Sequence, residues 1–170
     1  MSFKNPKEVF VMLLSDVRRS TERSIKFFNE IIPLVQDTDV KEALEARVFV
    51  SGNMLASLDQ CFKLIGEQPV KLSGRLQETF VENFIEELSE MQSPVAKHLF
   101  ILSKISHLVH LRIGELVALT TAADVTGHFA VGVLLESVLA DYVAFVERTR
   151  RLIRNLIETK LAEKKAAVAA

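Results

Sequence analysis

Apolar residues recur at alternating steps of three and four along most of this 170-residue chain. That spacing gives one apolar stripe to each of four long helices, and only 6 Gly and 4 Pro are present to interrupt them. The short link at residues 37–39 makes the first two helices an antiparallel hairpin. The pattern predicts long helices over about 6–36, 39–65, 94–121 and 125–162, a short helix over about 75–91, and a frayed tail over 163–170.

The link between the second and third long helices determines the connectivity. It has roughly 27 residues, and a short helix of about 16 residues inside it rises about 24 Å. That length carries the chain from one end of a bundle to the other. The sequence therefore predicts an all-α fold: a ferritin-like four-helix bundle of two antiparallel hairpins joined by a crossover that contains a short fifth helix. A single domain over residues 1–170 is expected.

Charge and cysteine content exclude several classes of protein. The chain has 21 basic and 22 acidic residues, so no overall field attracts it to nucleic acid or to an anionic membrane. Charged residues interrupt both of its most apolar stretches, and the first ten residues do not have the pattern of a signal peptide. The single cysteine, Cys61, lies on an apolar stripe and is expected to be a buried thiol. We expect a cytoplasmic protein that binds neither nucleic acid nor membrane.

Small hydroxyl residues interrupt three of the four apolar stripes near mid-helix. They are Thr21, Ser51 and Ser106, and each stands where the spacing would otherwise place an apolar side chain. Metal-binding helical bundles hold carboxylates in such a central layer. The predicted layer is polar but contains no strong metal ligand.

Three segments carry a resemblance to a known family. They are KEVFVMLLSDVRRSTERSI at 7–25, ASLDQCFKLIGEQP at 56–69 and FVENFIEEL at 80–88. In these segments the sequence resembles the YciE/YciF-type ferritin-like proteins, a bacterial family linked to stress responses. The resemblance covers nearly the whole chain, and it implies the bundle predicted above together with a stress-associated role.

The resemblance also implies a di-metal site, and the chain departs from the expected ligands. The second-helix Glu-x-x-His position falls on residues 49–52, and no Glu-x-x-His occurs anywhere in the chain. On the fourth helix only Glu136 and Asp141 are left. The chain is therefore interpreted as a divergent family member that lacks the di-metal ligands, with no catalytic residue and no cofactor. The predicted degenerate metal-site layer consists of Thr21, Ser51, Gly52 and Ser106.

Two alternatives remain open at this stage. His107 and His110 lie three residues apart on one helical face, and with Glu136 and Asp141 they offer a relocated site for Fe, Mn or Zn in a redox or metal-storage protein. In the other alternative, the three hydroxyls line a central pocket of a small-ligand carrier.

The third and fourth long helices are apolar on more than one side, which predicts a partner surface. A homodimer through the second hairpin accounts for it, with glycines that permit close helix approach. We therefore expect a non-catalytic structural or interaction protein that forms a dimer. The predicted interface residues are Leu108, Leu111, Gly114, Phe129 and Val133.

Overall fold

The computed structural model describes residues 5–72 and 75–169, and in that part of the chain all regular structure is helical. The expectation of an all-α chain with five helices is confirmed. Positions 1–4, 73–74 and 170 of the predicted single domain lie outside the described residues. The helices are α1 (Pro6–Ile31) followed by a 3₁₀ turn (Ile32–Leu34), α2 (Thr38–Ile65), α3 (Arg75–Glu90), α4 (Pro94–Val125) and α5 (Phe129–Ala169).

Capping residues set the starts of three long helices. The side chains of Asn5, Asp37 and Ser93 each accept a hydrogen bond from the backbone N–H three residues later, at 2.9, 3.0 and 3.1 Å. Gly66 ends α2 with a φ of 67°, a left-handed conformation that glycine adopts without strain. Local sequence chemistry therefore determines where the hairpin begins and ends.

Three predicted helix boundaries need correction. Helix α1 ends at Ile31 because Pro33, in the 3₁₀ turn, has no N–H with which to continue the helix. Helix α4 continues to Val125 and the chain turns at Gly127, so α5 begins at Phe129 rather than at residue 125. Helix α5 extends to Ala169, beyond the predicted end at residue 162, since the Ala, Lys and Glu residues of this segment are strong helix formers.

The four long helices enclose one core. Helices α4 and α5 have the most extensive contact, α2 packs on both α1 and α5, and α1 also packs on α4. The start of α1 lies beside the end of α4, where Phe10 and Leu119 line the same cavity. The α1–α4 neighbours therefore run antiparallel, as the two hairpins do.

Helix α3 lies against α1 and α4 through aromatic side chains. The Phe84 ring is 4.9 Å from the Phe27 ring in an edge-to-face arrangement, and 5.3 Å from the Phe100 ring. Phe84 is fully buried. The crossover therefore contributes to the core instead of merely connecting two hairpins.

The inward face of α4 is broader than the predicted stripe through Ser106, of which Leu102, Val109 and Leu116 are buried. Its buried stripe includes Ile101, Ile105 and Leu108, while Ser106 is only half-buried at the edge. The placement of Leu108 at an interface is therefore wrong, because this side chain is part of the core. On α2 the prediction of a buried Cys61 is confirmed, and burial raises the pKa of its thiol to about 11.

Helix α5 is the one helix in the described part of the chain that is long and apolar enough to cross a membrane. Its most apolar window has a mean hydropathy of 1.9, and 33% of that window is buried among the other helices. Length and composition are the only basis for this result, and a core helix of a bundle passes the same test. Outside the core, α5 exposes Phe129, Val133 and Val143.

His98 fixes the turn between α1 and α2. It is buried at the start of α4, and its Nε2 accepts hydrogen bonds from the backbone N–H groups of Gln36, at 3.2 Å, and Asp37, at 3.4 Å. Burial lowers the pKa of His98, against an opposing effect of the Asp37 carboxylate. The neutral imidazole is therefore the form that holds the turn.

We expect this contact to make stability depend on pH. Because the pKa of His98 is lower in the folded than in the unfolded chain, its contribution is complete above the unfolded value of about 6.5 and is lost as the pH falls below it. Urea unfolding at about pH 7.5 and about pH 5.5 measures the loss. His98→Gln, which keeps an acceptor but does not titrate, is expected to show a smaller loss, whereas the exposed His107→Gln behaves as wild type. Equal losses in wild type and His98→Gln would contradict this role.

Candidate functional site

Two arginines lie inside the helical bundle. Arg47 of α2 is 3% exposed and Arg112 of α4 is 5% exposed. A buried guanidinium is unfavourable unless other groups compensate its charge, and it does not lose its proton. Neither arginine is among the predicted site residues, because each lies on an inward-facing stripe that is otherwise apolar.

Arg112 is compensated by two carboxylates. Its Nη1 contacts Glu115 Oε2 one turn later on α4 and lies 3.6 Å from Asp16 Oδ2 on α1. Burial raises the pKa of Glu115 while Arg112 opposes the rise, and the charge of Asp16 adds to it. This charge cluster joins α1 to α4. Of the four pairs of neighbouring long helices, α1 and α4 have the least extensive contact.

Arg47 lies directly against aromatic rings, and the nearest carboxylate, Asp141, is more distant. Its guanidinium carbon lies 4.0 Å from the centroid of the Tyr142 ring and 5.2 Å from that of Phe145, both on α5. The Nε and Nη1 atoms have no hydrogen-bond partner. Burial lowers the pKa of Arg47, and the nearby Tyr142 and Asp141 oppose this effect. The cation–π contacts therefore compensate the charge only in part.

Two of the predicted hydroxyls lie beside this arginine. Thr21 is fully buried; its Oγ1 donates to the Val17 carbonyl at 2.8 Å and lies 3.4 Å from the Tyr142 hydroxyl. Ser51, one turn after Arg47, is buried and its Oγ has no partner. We call Thr21, Arg47, Ser51 and Tyr142 the polar core cluster.

The other two residues of the predicted layer are not in the interior. Gly52 is exposed, and Ser106 is half-buried at the edge of α4. The Ser106 carbonyl oxygen lies 2.7 Å from Nδ1 of His110, so this contact stays within α4. The predicted four-residue layer thus reduces to Thr21 and Ser51, with Arg47 and Tyr142 in addition.

The structure does not gather the alternative metal ligands into a cluster. His107, His110, Glu136 and Asp141 are all exposed. Across the described ranges 5–72 and 75–169, no three His, Cys, Asp or Glu side chains are grouped so that they could hold a metal ion.

Four of the five predicted interface residues are on the surface. Leu111, Gly114, Phe129 and Val133 are exposed, with Phe129 at 69% and Val133 at 66%. The structure also exposes Phe49 of α2 at 72%. Sequence reasoning missed Phe49, although its position next to the inward-facing Val48 on the same helix is the signal that could have found it.

In the part of the chain that the structure describes, the geometry defines a class of protein: an all-helical bundle with five helices, a polar core cluster and several exposed apolar side chains. The sequence matches a family described as a domain of unknown function, DUF892, over residues 5–162. The chain belongs to this family, and the predicted YciE/YciF-type resemblance is confirmed. No curated protein matches the sequence.

Solved structures show the same fold at low sequence identity. The stress protein YciF of E. coli superimposes with a TM-score of 0.86 at 17% identity, over 92% of this chain and 99% of that one. YcfI of Rhodopseudomonas palustris gives 0.82 at 17%, over 86% and 94%. A Xanthomonas campestris protein gives 0.69 at 17%, over 95% and 99%. At this level of identity the similarity concerns the fold.

Proposed function

We propose that this protein is a ferritin-like bundle with a degenerate di-metal site, acting in the cytoplasm as a non-catalytic structural or interaction protein in dimeric form. The observation that carries the proposal is the pair of buried arginines, Arg47 and Arg112. The likeness in fold to the E. coli stress protein YciF supports a stress-associated role.

The donor groups in the interior do not fit a dinuclear metal site. Such a site needs several carboxylates and imidazoles facing one another. Here the carboxylates of Asp16 and Glu115 already compensate Arg112, and Thr21 donates its hydroxyl proton to its own helix. A unit positive charge about 4 Å from another costs about 4 kcal/mol at an effective dielectric constant near 20, and more for a divalent ion. The buried guanidinium groups therefore disfavour bound cations.

The response of stability to metal tests this part of the proposal. A ligand that binds the folded chain raises its unfolding midpoint. We expect EDTA to leave the thermal midpoint unchanged and added Fe²⁺, Mn²⁺ or Zn²⁺ not to raise it. A midpoint that EDTA lowers and one of these metals restores would contradict the proposal.

The apolar surface of the second hairpin supports a homodimer. Phe129 and Val133 lie one turn apart on α5, and most of the apolar window of that helix is outside the core. Exposed Leu111 and Gly114 on α4 belong to the same hairpin. Exposed apolar side chains on one hairpin favour association, and two copies of one face meet around a two-fold axis.

We expect Phe129→Asp and Val133→Glu to convert the dimer to a monomer, because each places a charge at the centre of an apolar contact. Light scattering after size exclusion at micromolar concentration measures the mass. Phe49→Asp is the matched control: it changes an equally exposed phenylalanine outside the second hairpin and should leave the dimer intact. A monomeric wild type, or a dimer broken only by Phe49→Asp, would contradict this interface.

The alternative of a small-ligand carrier with three hydroxyls in a central pocket has less support than the structural or interaction protein. A carrier of this kind needs three hydroxyls around one central pocket. Ser106, however, is only half-buried beside the inward face of α4, and the Thr21 hydroxyl already donates a hydrogen bond to the Val17 carbonyl. The unpartnered Ser51 hydroxyl is the part of that layer that stays without an assigned role.

A further inference from the structure

A groove runs between α2 and α5 beside the polar core cluster. Its volume is about 170 Å³. Small and apolar side chains form most of its walls, from Ala43, Ala46 and Val50 on α2 and from Ala144 and Phe145 on α5. We call this cavity the α2–α5 groove. It belongs neither to the predicted hydroxyl layer nor to the second-hairpin surface.

Two cations and one anion also line the α2–α5 groove. They are Arg47, Arg148 and Asp141. Arg47 is the buried arginine whose Nε and Nη1 have no partner. Arg148 is half-buried on the α5 side, and Asp141 is exposed. The groove therefore has one positive charge in excess, and its most buried charged group has hydrogen-bonding capacity that the protein does not use.

Buried polar groups without partners are rare, and each one calls for an explanation. The Tyr142 ring compensates the charge of Arg47 in part, but it does not accept in-plane hydrogen bonds from Nε and Nη1. A planar carboxylate matches the fork of a guanidinium and forms shorter, stronger hydrogen bonds than a neutral acceptor does. Nε and Nη1 are closed to solvent in the present position of the side chain, so the chemistry that completes this site is an oxyanion in the groove toward which the Arg47 guanidinium turns.

We propose that the α2–α5 groove binds a small aliphatic carboxylate, whose head group pairs with Arg47 and Arg148 and whose chain lies against the alanine-rich walls. The groove volume is several times what one water molecule needs, so a molecule of a few non-hydrogen atoms fits. Free phosphate fits less well, because it would leave the apolar walls uncovered. This inference is independent of the oligomeric state.

Butyrate is the probe that tests the site. We expect a saturable change in the Arg47 Nε–H signal and in the Val50 and Ala144 amide signals of ¹H–¹⁵N spectra, with the unfolding midpoint raised by about 3 °C or more near saturation. 1-Butanol lacks the charge and inorganic phosphate lacks the chain, so at matched ionic strength both should have weaker effects. No saturable change with butyrate, or equal binding of phosphate, would overturn the proposal.

Variants of the charged lining residues give opposite predictions. Arg47→Met is expected to weaken butyrate binding by at least about tenfold, and to stay folded because it replaces a buried, incompletely compensated cation with an apolar side chain. Arg148→Gln should also weaken binding, whereas Asp141→Asn should tighten it by removing a like charge. Arg150→Gln, an exposed change on the same helix, is the control and should bind as wild type. Unchanged binding in Arg47→Met overturns the assignment; should that variant fail to fold, equal binding in Arg148→Gln and Asp141→Asn overturns it.

Discussion

Glu115→Gln is expected to lower the free energy of unfolding by about 2 kcal/mol, since it removes the closer carboxylate partner of the buried Arg112, while the burial cost that raises the pKa of Glu115 is relieved. The affected charge is Arg112, which would retain only Asp16, with Oδ2 3.6 Å from Nη1. Urea unfolding followed by circular dichroism measures the change. The urea concentration at the unfolding midpoint should fall, while the dependence of the unfolding free energy on urea concentration (the m-value) should not change, because the folded state stays equally compact.

The double variant Arg112→Met/Glu115→Gln separates the pair from general disruption of α4. It removes the buried cation together with its carboxylate, and an apolar replacement of a buried pair is often neutral or stabilising. We therefore expect it to recover most of the stability lost in Glu115→Gln. Glu22→Gln is the surface control: Glu22 is 3.8 Å from Arg18 and exposed, so its loss should stay below about 1 kcal/mol. A double variant no more stable than Glu115→Gln would contradict this account of Arg112.

Phe84→Ala is expected to lower the free energy of unfolding by about 4 kcal/mol, because it removes a fully buried ring and leaves a cavity. The ring contacts Phe27 of α1 and Phe100 of α4, so its loss also releases α3 from the bundle. Hydrogen exchange should then show faster opening of α3 amides than of α4 amides.

Ile85→Ala is the control for Phe84→Ala. Ile85 follows Phe84 on the same helix and is exposed, so truncating it changes helix propensity but creates no core cavity. We expect a loss below about 1 kcal/mol. Similar losses in the two variants would mean that α3 is held by its own helical stability and not by the three aromatic rings.

Local signals in the sequence predicted the helices well, and on α4 they predicted the buried Leu102, Val109 and Leu116 but misplaced Ser106. Asn5, Asp37, Ser93 and Gly66 mark helix ends through hydrogen bonds and backbone conformations that act over a few residues. Helix α4 is apolar nearly all round, so several of its stripes satisfy the same three-and-four spacing. Only packing against α1 and α5 selects the stripe with Leu108 over the one with Ser106.

The candidate site was predicted in part, for a related reason. Thr21 and Ser51 were correctly placed in the interior, because α1 and α2 each have one clear apolar stripe. The burial of Arg47 and Arg112 was not predicted, because an apolar stripe is identified from its apolar residues and charged residues are left out of it. Their burial depends on Tyr142 of α5 and Asp16 of α1, which are distant in sequence.

Metal analysis of the protein purified without chelator tests the central claim most directly. The buried charges of Arg47 and Arg112 are expected to keep the total of Fe, Mn and Zn far below one ion per chain. The same analysis after incubation with excess metal and desalting should give the same result. Near-stoichiometric metal that survives desalting in the wild type would contradict the account of a degenerate di-metal site.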